Sequence, residues 1–373
     1  MKAWPVLGIV ILQIILCLAH WFLYSTWIDF WLPLAPAVRL VLRVVLIALS
    51  ASFIVAALLS FRYYNWLVRL IYRVAALWIG LFNFLIVAAC LSWAIDFALR
   101  ALIPGPAHLH ARPFVVALLS VLAFAVSLYG VLNARIIRVR RVHIRLPRLP
   151  DSWRSRRALL ISDVHLGNIN TVRFACRLTE MSARLKPDIL FIAGDLFDGS
   201  KADPERLAGP LLRLAPPLGT YFVLGNHEEF GGEAHYVAAL AKAGIHVLNN
   251  ERVIVDGLQI IGVPFGHSTY PIRLRNFLES LHLGEGPASI LLNHVPHRLP
   301  IAEQAGVSLQ LSGHTHGGQV FPFSWITRRA FGRYTYGLQQ FGQMRVYTSS
   351  GAGTWGPPMR VGTHPEIVLL TFS

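Results

Sequence analysis

The sequence predicts two unlike parts in one chain: four membrane-spanning helices, then a layered α/β domain. Three observations predict it. Four long runs without a charged residue occupy the first third, charge is spread unevenly, and beyond residue 151 short apolar runs end in polar clusters. Hydrophobic residues make up 54% and charged residues 14% of the 373 positions, against about 25% charged in ordinary soluble domains. Residues 1–150 hold 14 Lys/Arg against two acids, Asp29 and Asp96, whereas residues 151–373 hold 20 against 17.

The first uncharged run, residues 3–28, exceeds the roughly 20 residues a helix needs to cross a bilayer core. Its length, and the further spans behind it, speak against a cleaved signal peptide. Three more runs follow at 44–61, 74–95 and 113–134, so residues 1–134 read as a four-helix anchor. Lys2, then Arg62, Arg69 and Arg73, then Arg135, Arg138, Arg140, Arg141, Arg145 and Arg148 flank the spans on one side. The opposite loops carry Asp29, Asp96, Arg39, Arg43, Arg100 and Arg112. The positive-inside rule then places both termini in the cytoplasm. The expectation is a multi-pass protein of the inner (cytoplasmic) membrane with its second part on the cytoplasmic face.

A net charge of +15 would suit a nucleic-acid partner if it covered a soluble face. Here it flanks apolar spans, where it sets orientation and meets anionic headgroups, so no nucleic acid is expected. Cys17, Cys90 and Cys176 lie far apart and form neither a disulfide framework nor a thiolate metal motif. The four spans contain no Asp, Glu, Lys or Arg, which argues against a transporter or channel.

Residues 135–150 alternate basic and apolar residues and end in prolines. They read as a juxtamembrane linker, part of which could open the next domain as a strand. In residues 151–373 the runs Ala158–Ile161, Ile189–Ala193, Thr220–Leu224, Ser289–Leu292 and Ser308–Leu311 have strand length. Helix-like segments Val172–Leu185, Pro204–Leu214 and Ala234–Ala243 separate them, a hairpin is expected over Val253–Val263 with its turn at Asp256-Gly257, and late strands near Arg345–Thr348 and Ile367–Phe372.

A residue suited to metal ligation follows each of the five strand-like runs. The clusters are Asp163-Val164-His165, Gly194-Asp195-Leu196-Phe197-Asp198, Gly225-Asn226-His227-Glu228, Asn293-His294 and Gly313-His314-Thr315-His316. Singly each is weak, since a lone histidine is more often structural than a ligand. Their shared position is the signal, because strands of an α/β sheet deliver ligand-binding residues from their C-terminal ends. A mixed set of carboxylate, imidazole and amide oxygen suits Mn, Fe or Zn rather than a thiolate-selected metal.

In this order the five blocks resemble the calcineurin-like metallophosphoesterase family, whose pattern is DxH, GDxxD, GNH[DE], a lone H and GHxH. The readings NHVP, SGHTHGGQ and SSGAGTWGPPMRVG look like its membrane-associated, YkuE-like branch. The resemblance covers about residues 157–373 and implies a layered α-β-β-α sandwich holding two divalent metal ions. It implies that Asp163, His165 and His316 bind one ion, that Asn226, His294 and His314 bind the other, and that Asp195 bridges them. His227 is then expected beside the scissile group, oriented by Asp198, with helix capping as its structural alternative. Glu228 reads as a cap or a support for a ligand loop.

The implied activity is hydrolysis of a phosphodiester, phosphomonoester or pyrophosphate by metal-activated water. A membrane-associated, lipid-linked phosphate is the favoured substrate. A soluble phosphodiester is the first alternative, and a metal-binding membrane sensor without turnover the second. Two segments bear on the choice. Val320–Phe331 sets Phe321, Phe323, Trp325 and Phe331 beside Arg328 and Arg329; it reads either as a loop covering the core or as a segment entering the membrane interface, and the attached spans favour the latter. Gly351–Gly362, rich in Gly and Pro, reads as a rigid loop near the site.

Overall fold

The computed structural model describes residues 3–31, 33–103 and 105–373. The chain divides into two compact units: residues 1–132 with 356–359, and residues 133–355 with 360–373. Lys2, used in the orientation argument, lies outside the described residues.

Among its described residues the first unit contains four helices long and apolar enough to cross a membrane. They are α1 (Ala3–Phe30), α2 (Pro36–Arg62), α3 (Trp66–Leu102) and α4 (Arg112–Asn133). At 1.5 Å per residue, the 37 residues of α3 run about 55 Å, well past a hydrocarbon core of about 30 Å. The uncharged spans 44–61 and 74–95 therefore lie inside longer helices that run on into flanking charges, whereas 3–28 and 113–134 are nearly the whole of α1 and α4. Asn65 caps α3, its side chain accepting from Val68 N at 2.9 Å. Near its far end Asp96 is buried, paired with Arg112 at 2.8 Å and with Arg100 at 2.8 Å.

The second unit is built on two six-stranded sheets. The first uses β1 (Arg138–Ile144), β2 (Arg157–Ile161), β3 (Ile189–Ile192), β4 (Thr220–Phe222), β5 (His246–Val247) and β12 (Glu366–Phe372), in the order β1-β12-β2-β3-β4-β5. The second uses β6 (Glu251–Val255), β7 (Leu258–Val263), β8 (Ser289–Asn293), β9 (Leu309–Ser312), β10 (Gly337–Phe341) and β11 (Met344–Thr348), in the order β10-β11-β9-β8-β7-β6. β2 to β5 are parallel, as are β7, β8, β9 and β11. Central strands such as Ser289–Asn293 are buried at every position, as expected where both faces of a parallel sheet are covered.

Alternate residues explain the layers. Ala158, Leu160, Ile189 and Phe191 of the first sheet share one core with Ile260, Ile290, Leu292, Leu309 and Leu311 of the second. Leu159, Leu190 and Ile192, pointing the other way, are also buried. On the outer face of the second sheet, Ile261, Val263, Leu291 and Val346 pack with Leu274, Leu278, Leu299 and Ala302 from the helices Pro271–Ser280 and Leu299–Gln304. The expected layered α/β sandwich is what the chain forms.

One open expectation is decided and two others change. Part of the stretch read as a linker is β1, an edge strand paired in parallel with β12 from Arg138↔Glu366 to Ile144↔Phe372. The helix expected over Pro204–Leu214 stops at Ala208 and continues as a 3₁₀ turn, Gly209–Arg213. Pro210 supplies the reason, since it lacks the N–H that an α-helix needs and crowds the preceding turn. The Val320–Phe331 segment contains a helix, Phe323–Phe331, rather than a loop.

Candidate metal centre

The C-terminal ends of β2, β3, β4, β8 and β9 bring all five sequence clusters together. Asp163 follows β2 by two residues, Asp195 follows β3 by three, and His294 directly follows β8. Main-chain bonds knit these ends: Asp163 N donates to Gly194 O, His165 N to Asp195 O and Gly313 N to His294 O, at 2.9–3.1 Å. The two sheets thus present their ligand-bearing loops to one place.

The backbone there is unusual. Asp163 (φ 50°), His165 (50°), Asp195 (52°), His314 (68°) and His316 (49°) all adopt the left-handed region, which costs an L-residue on the order of 1–3 kcal/mol and clusters at functional sites. Five of the seven expected metal ligands bear this cost together. The glycines beside them serve close approach: a Cβ on Gly225 would lie 2.1 Å from Asp195 Oδ1, and one on Gly313 2.1 Å from Asp163 Oδ2.

The side chains form one continuous cluster. His165 Nε2 and His316 Nε2 are 3.0 Å apart, and His316 Nε2 lies 3.6 Å from Asp163 Oδ1. Asp195 Oδ2 lies 3.8 Å from His165 Nε2 and 3.2 Å from His294 Nε2. His314 Nδ1 lies 3.1 Å from Asn226 Oδ1 and 3.3 Å from His294 Nε2. Asp163, His165 and His316 form one group able to hold an ion, and Asp195, His294 and His314 a second, with Asn226 beside it. Asp195 sits between them. Asp163, His165, Asp195, His294 and His316 are buried, and His165 Nδ1 has no hydrogen-bond partner among the described residues. Imidazole nitrogens and carboxylate oxygens gathered this tightly out of water suit divalent cations of the borderline kind.

Charge within the cluster is uneven. Burial pushes Asp163 up to about 6, partly countered by His294. Burial also works against ionised Asp195, yet His294, which hydrogen-bonds it, and then His227 and His165 hold it far below the usual carboxylate range. For His294 burial opposes the charge, but Asp195 and then Asp163 lift it to about 10. Burial lowers His314 to about 3 and keeps His165 and His316 neutral. A metal-free cluster therefore holds a proton on His294 and presents the other imidazoles in the form that binds metals.

His227 is half-buried, its ring edge-on to His165 with centroids 4.8 Å apart. Its Nδ1 lies 3.0 Å from the Asp198 carbonyl oxygen. Asp198 thus meets the ring as expected, but through its main chain, while its carboxylate accepts from Asn168 N (2.8 Å) and Ser200 N (2.9 Å) and fixes two neighbouring turns. A carbonyl only accepts, so Nδ1 carries the hydrogen and Nε2 is left for chemistry. Glu228 is fully buried and accepts from Asp195 N, Phe197 N and Gly225 N at 2.8–3.0 Å, holding two ligand loops with one carboxylate. Burial pushes it up to about 8, with Asp195 adding to the effect.

Two neighbours escaped sequence reasoning. Arg360 is fully buried and donates to His316 O (2.8 Å), Ser350 O (2.7 Å) and Gly353 O (2.5 Å), with Nη2 3.1 Å from His316 Nδ1. Trp355 stands with its ring 5.6 Å from that of His227. Its main chain exchanges two hydrogen bonds with the Gln319 side chain, at 2.9 and 3.0 Å. Both lie in the Gly/Pro-rich segment expected near the site, but no pattern in it marks either residue as special.

Known proteins are similar to this chain. The family profile Calcineurin-like phosphoesterase matches residues 156–318. A transmembrane protein with metallophosphoesterase domain from Danio rerio is 30% identical over 320 residues, 81% of this chain and 73% of that protein. The metallophosphoesterase YkuE of Bacillus subtilis is 31% identical over 237 residues, 60% of this chain and 81% of that protein. A metallophosphoesterase of Campylobacter jejuni is 32% identical over 238 residues, and the match spans 62% of each chain, under two thirds of that relative's length. The chain belongs to the calcineurin-like metallophosphoesterase family, a class of metal-dependent hydrolases of phosphate esters.

Proposed function

We propose that this protein is a membrane-anchored phosphohydrolase working with two divalent ions. The observation that carries the reading is the cluster of seven ligand-type side chains at five strand ends, five of them buried and five in left-handed backbone. Asp163, His165 and His316 would hold one ion, Asn226, His294 and His314 the other, with Asp195 shared. When bound, such ions polarise the phosphoryl group and lower the pKa of water so that it attacks near neutral pH; Mn, Fe or Zn suits the donors. His227 then acts on the substrate: in its doubly protonated form, with Nδ1–H held by the Asp198 carbonyl, its Nε2–H stabilises the transferring group or passes its proton to the leaving oxygen. Glu228 keeps Asp195 and the Gly225 loop in register.

A membrane-associated phosphate is the substrate class this reading favours. Four apolar helices support it, as does the Phe323–Phe331 helix, which has no buried residue and exposes Phe323, Trp325 and Ile326. Arg328 and Arg329 end that helix, and no acid occurs between Glu303 and Glu366; such a surface fits anionic headgroups. The arginine bias of the span flanks favours a cytoplasmic site in an inner membrane.

The test is hydrolysis of bis(p-nitrophenyl) phosphate by the full chain in detergent, stripped of metal and then supplied with Mn, Zn or Mg. Metal-dependent turnover that Asp195→Asn abolishes and His227→Ala lowers at least a hundredfold is expected. Equal turnover by the parent and Asp195→Asn would overturn the reading.

A further inference from the structure

Beside the metal centre lies a cavity of about 460 Å³ whose walls include Gly317, Arg328, Arg333, Thr335, Tyr336 and Gln339. It adjoins the histidine loop directly. Gly317 follows His316, and Thr315, between the two histidines, donates from Oγ1 to Thr335 O at 2.7 Å. Phe331, at the end of the helix that carries Arg328, sets its ring edge-on to His314 with centroids 6.1 Å apart. The far wall of the cavity is thus tied to the residues that would hold the ions.

The lining is cationic and lacks a counter-charge. Among the described residues the Arg328 guanidinium has no hydrogen-bond or ion-pair partner, whereas Arg333 is braced through Nε and Nη2 against Tyr334 Oη (3.0 and 2.8 Å) and through Nη2 against Gln340 O (3.0 Å). That bracing leaves Arg333 Nη1 free to donate. Residues 304–365 contain five arginines and no Asp or Glu. Of the two acids that bound this stretch, Glu303 accepts from Gln343 N (3.2 Å), and Glu366 is occupied by Tyr336 Oη (2.7 Å), Tyr347 Oη (3.2 Å) and Ser350 N (3.3 Å). Two guanidinium groups at a cavity beside a phosphoryl-binding centre, with no protein carboxylate to neutralise them, call for an anion from outside, and planar guanidinium groups match phosphate oxygens.

We propose that this cavity is a second anion subsite, which receives another phosphate of the same substrate while the reacting phosphoryl group sits at the metal centre. The substrate is then a pyrophosphate diester or an ester bearing a second phosphate, rather than a simple monoester. This rests on the phosphohydrolase reading of the metal centre.

The test uses the full chain in detergent, loaded with the metal that best supports turnover. Its two substrates are the p-nitrophenyl esters of a nucleoside 5′-monophosphate and of the matching 5′-diphosphate, with products separated by chromatography. The quantity read is the ratio of kcat/KM for the diphosphate to that for the monophosphate. The parent is expected to favour the diphosphate. Arg328→Ala and Arg333→Ala are each expected to lower the ratio about tenfold through KM, the scale of a lost hydrogen bond to a charged group. Arg328→Lys, which keeps the charge without the fork, is expected to fall between. Turnover of the monophosphate with a ratio unchanged in all three variants would overturn the subsite alone. Failure of the metal-loaded parent to cleave either ester would overturn the phosphohydrolase reading, and the subsite with it.

Discussion

The Nε2 atoms of His165 and His316 lie 3.0 Å apart, each in a left-handed residue and each buried. Two neutral imidazoles share at most one hydrogen at that distance, so their positions are better satisfied by a cation between them. Removing metal should therefore loosen the second unit. Mn or Zn at a hundredfold over its Kd should stabilise the chain by about 2.7 kcal/mol, raising Tm by roughly 5–10 °C. Thermal melts with and without metal check this, and an unchanged Tm with metal bound would count against the cluster as a metal centre.

Metal uptake should release protons. His294 keeps its proton up to about pH 10 in the metal-free cluster because Asp195 and Asp163 outweigh the cost of burial. An ion binding there at pH 7 must displace it. Because the group is protonated below its pKa, affinity weakens as pH falls and strengthens as it rises, about tenfold per pH unit for each proton displaced. Below about pH 6 Asp163 adds a second proton. Calorimetry at pH 6.5 and 7.5, in two buffers of different ionisation heat, reads the number released; zero would contradict the predicted charge state.

Glu228 should be structural in its effect. Its carboxylate serves three buried main-chain N–H groups, and Glu228→Ala leaves all three without an acceptor. The expected loss is about 3 kcal/mol or more, seen as a Tm lower by roughly 6–12 °C. Glu228→Gln, with one oxygen where two were used, should lie between. A Glu228→Ala chain as stable as the parent would contradict this role.

Arg360 should govern metal affinity without touching metal. It fixes the His316 carbonyl and faces His316 Nδ1, and groups that orient a ligand are worth about 10–100-fold in affinity. Arg360→Lys keeps one charge but cannot reach the His316, Ser350 and Gly353 carbonyls together. Titration with Mn should show weaker binding by that factor while the fold, read by circular dichroism, persists. Undiminished affinity would make Arg360 a packing residue only.

The boundary of the second unit matters for stability. A fragment beginning at residue 145 loses β1 and with it Ile144, a core residue 1% exposed, and leaves β12 with an unpaired edge. Deleting one such side chain alone costs about 2–5 kcal/mol. A 145–373 fragment should therefore melt lower and aggregate more than one beginning at 133; equal behaviour in light scattering and melting would show β1 to be dispensable.

The parts legible in the sequence are those that local chemistry announces. Uncharged runs marked the helices, and the polar blocks after short apolar runs marked Asp163, Asp195, Asn226, His294 and His314 as a convergent set at strand ends, though the fold draws that set from two sheets rather than one. Less legible were residues whose role depends on distant partners. Arg138–Ile144 reads equally as linker or as opening strand because its pairing strand lies at the other end of the domain. Arg360 is one arginine among 34 Lys/Arg, and only the fold shows it buried among carbonyls. Asp198 was assigned to His227 by motif, yet three dimensions give that task to its carbonyl and spend its carboxylate on Asn168 and Ser200.

The pairing of β1 with β12 also sets a timetable. Arg138 pairs with Glu366, 228 residues further on. At a synthesis rate of about 5–20 residues per second, the first strand of the second unit waits on the order of 10–50 s for its neighbour. By then all four apolar helices have left the ribosome, so the first unit can form before the first sheet is complete.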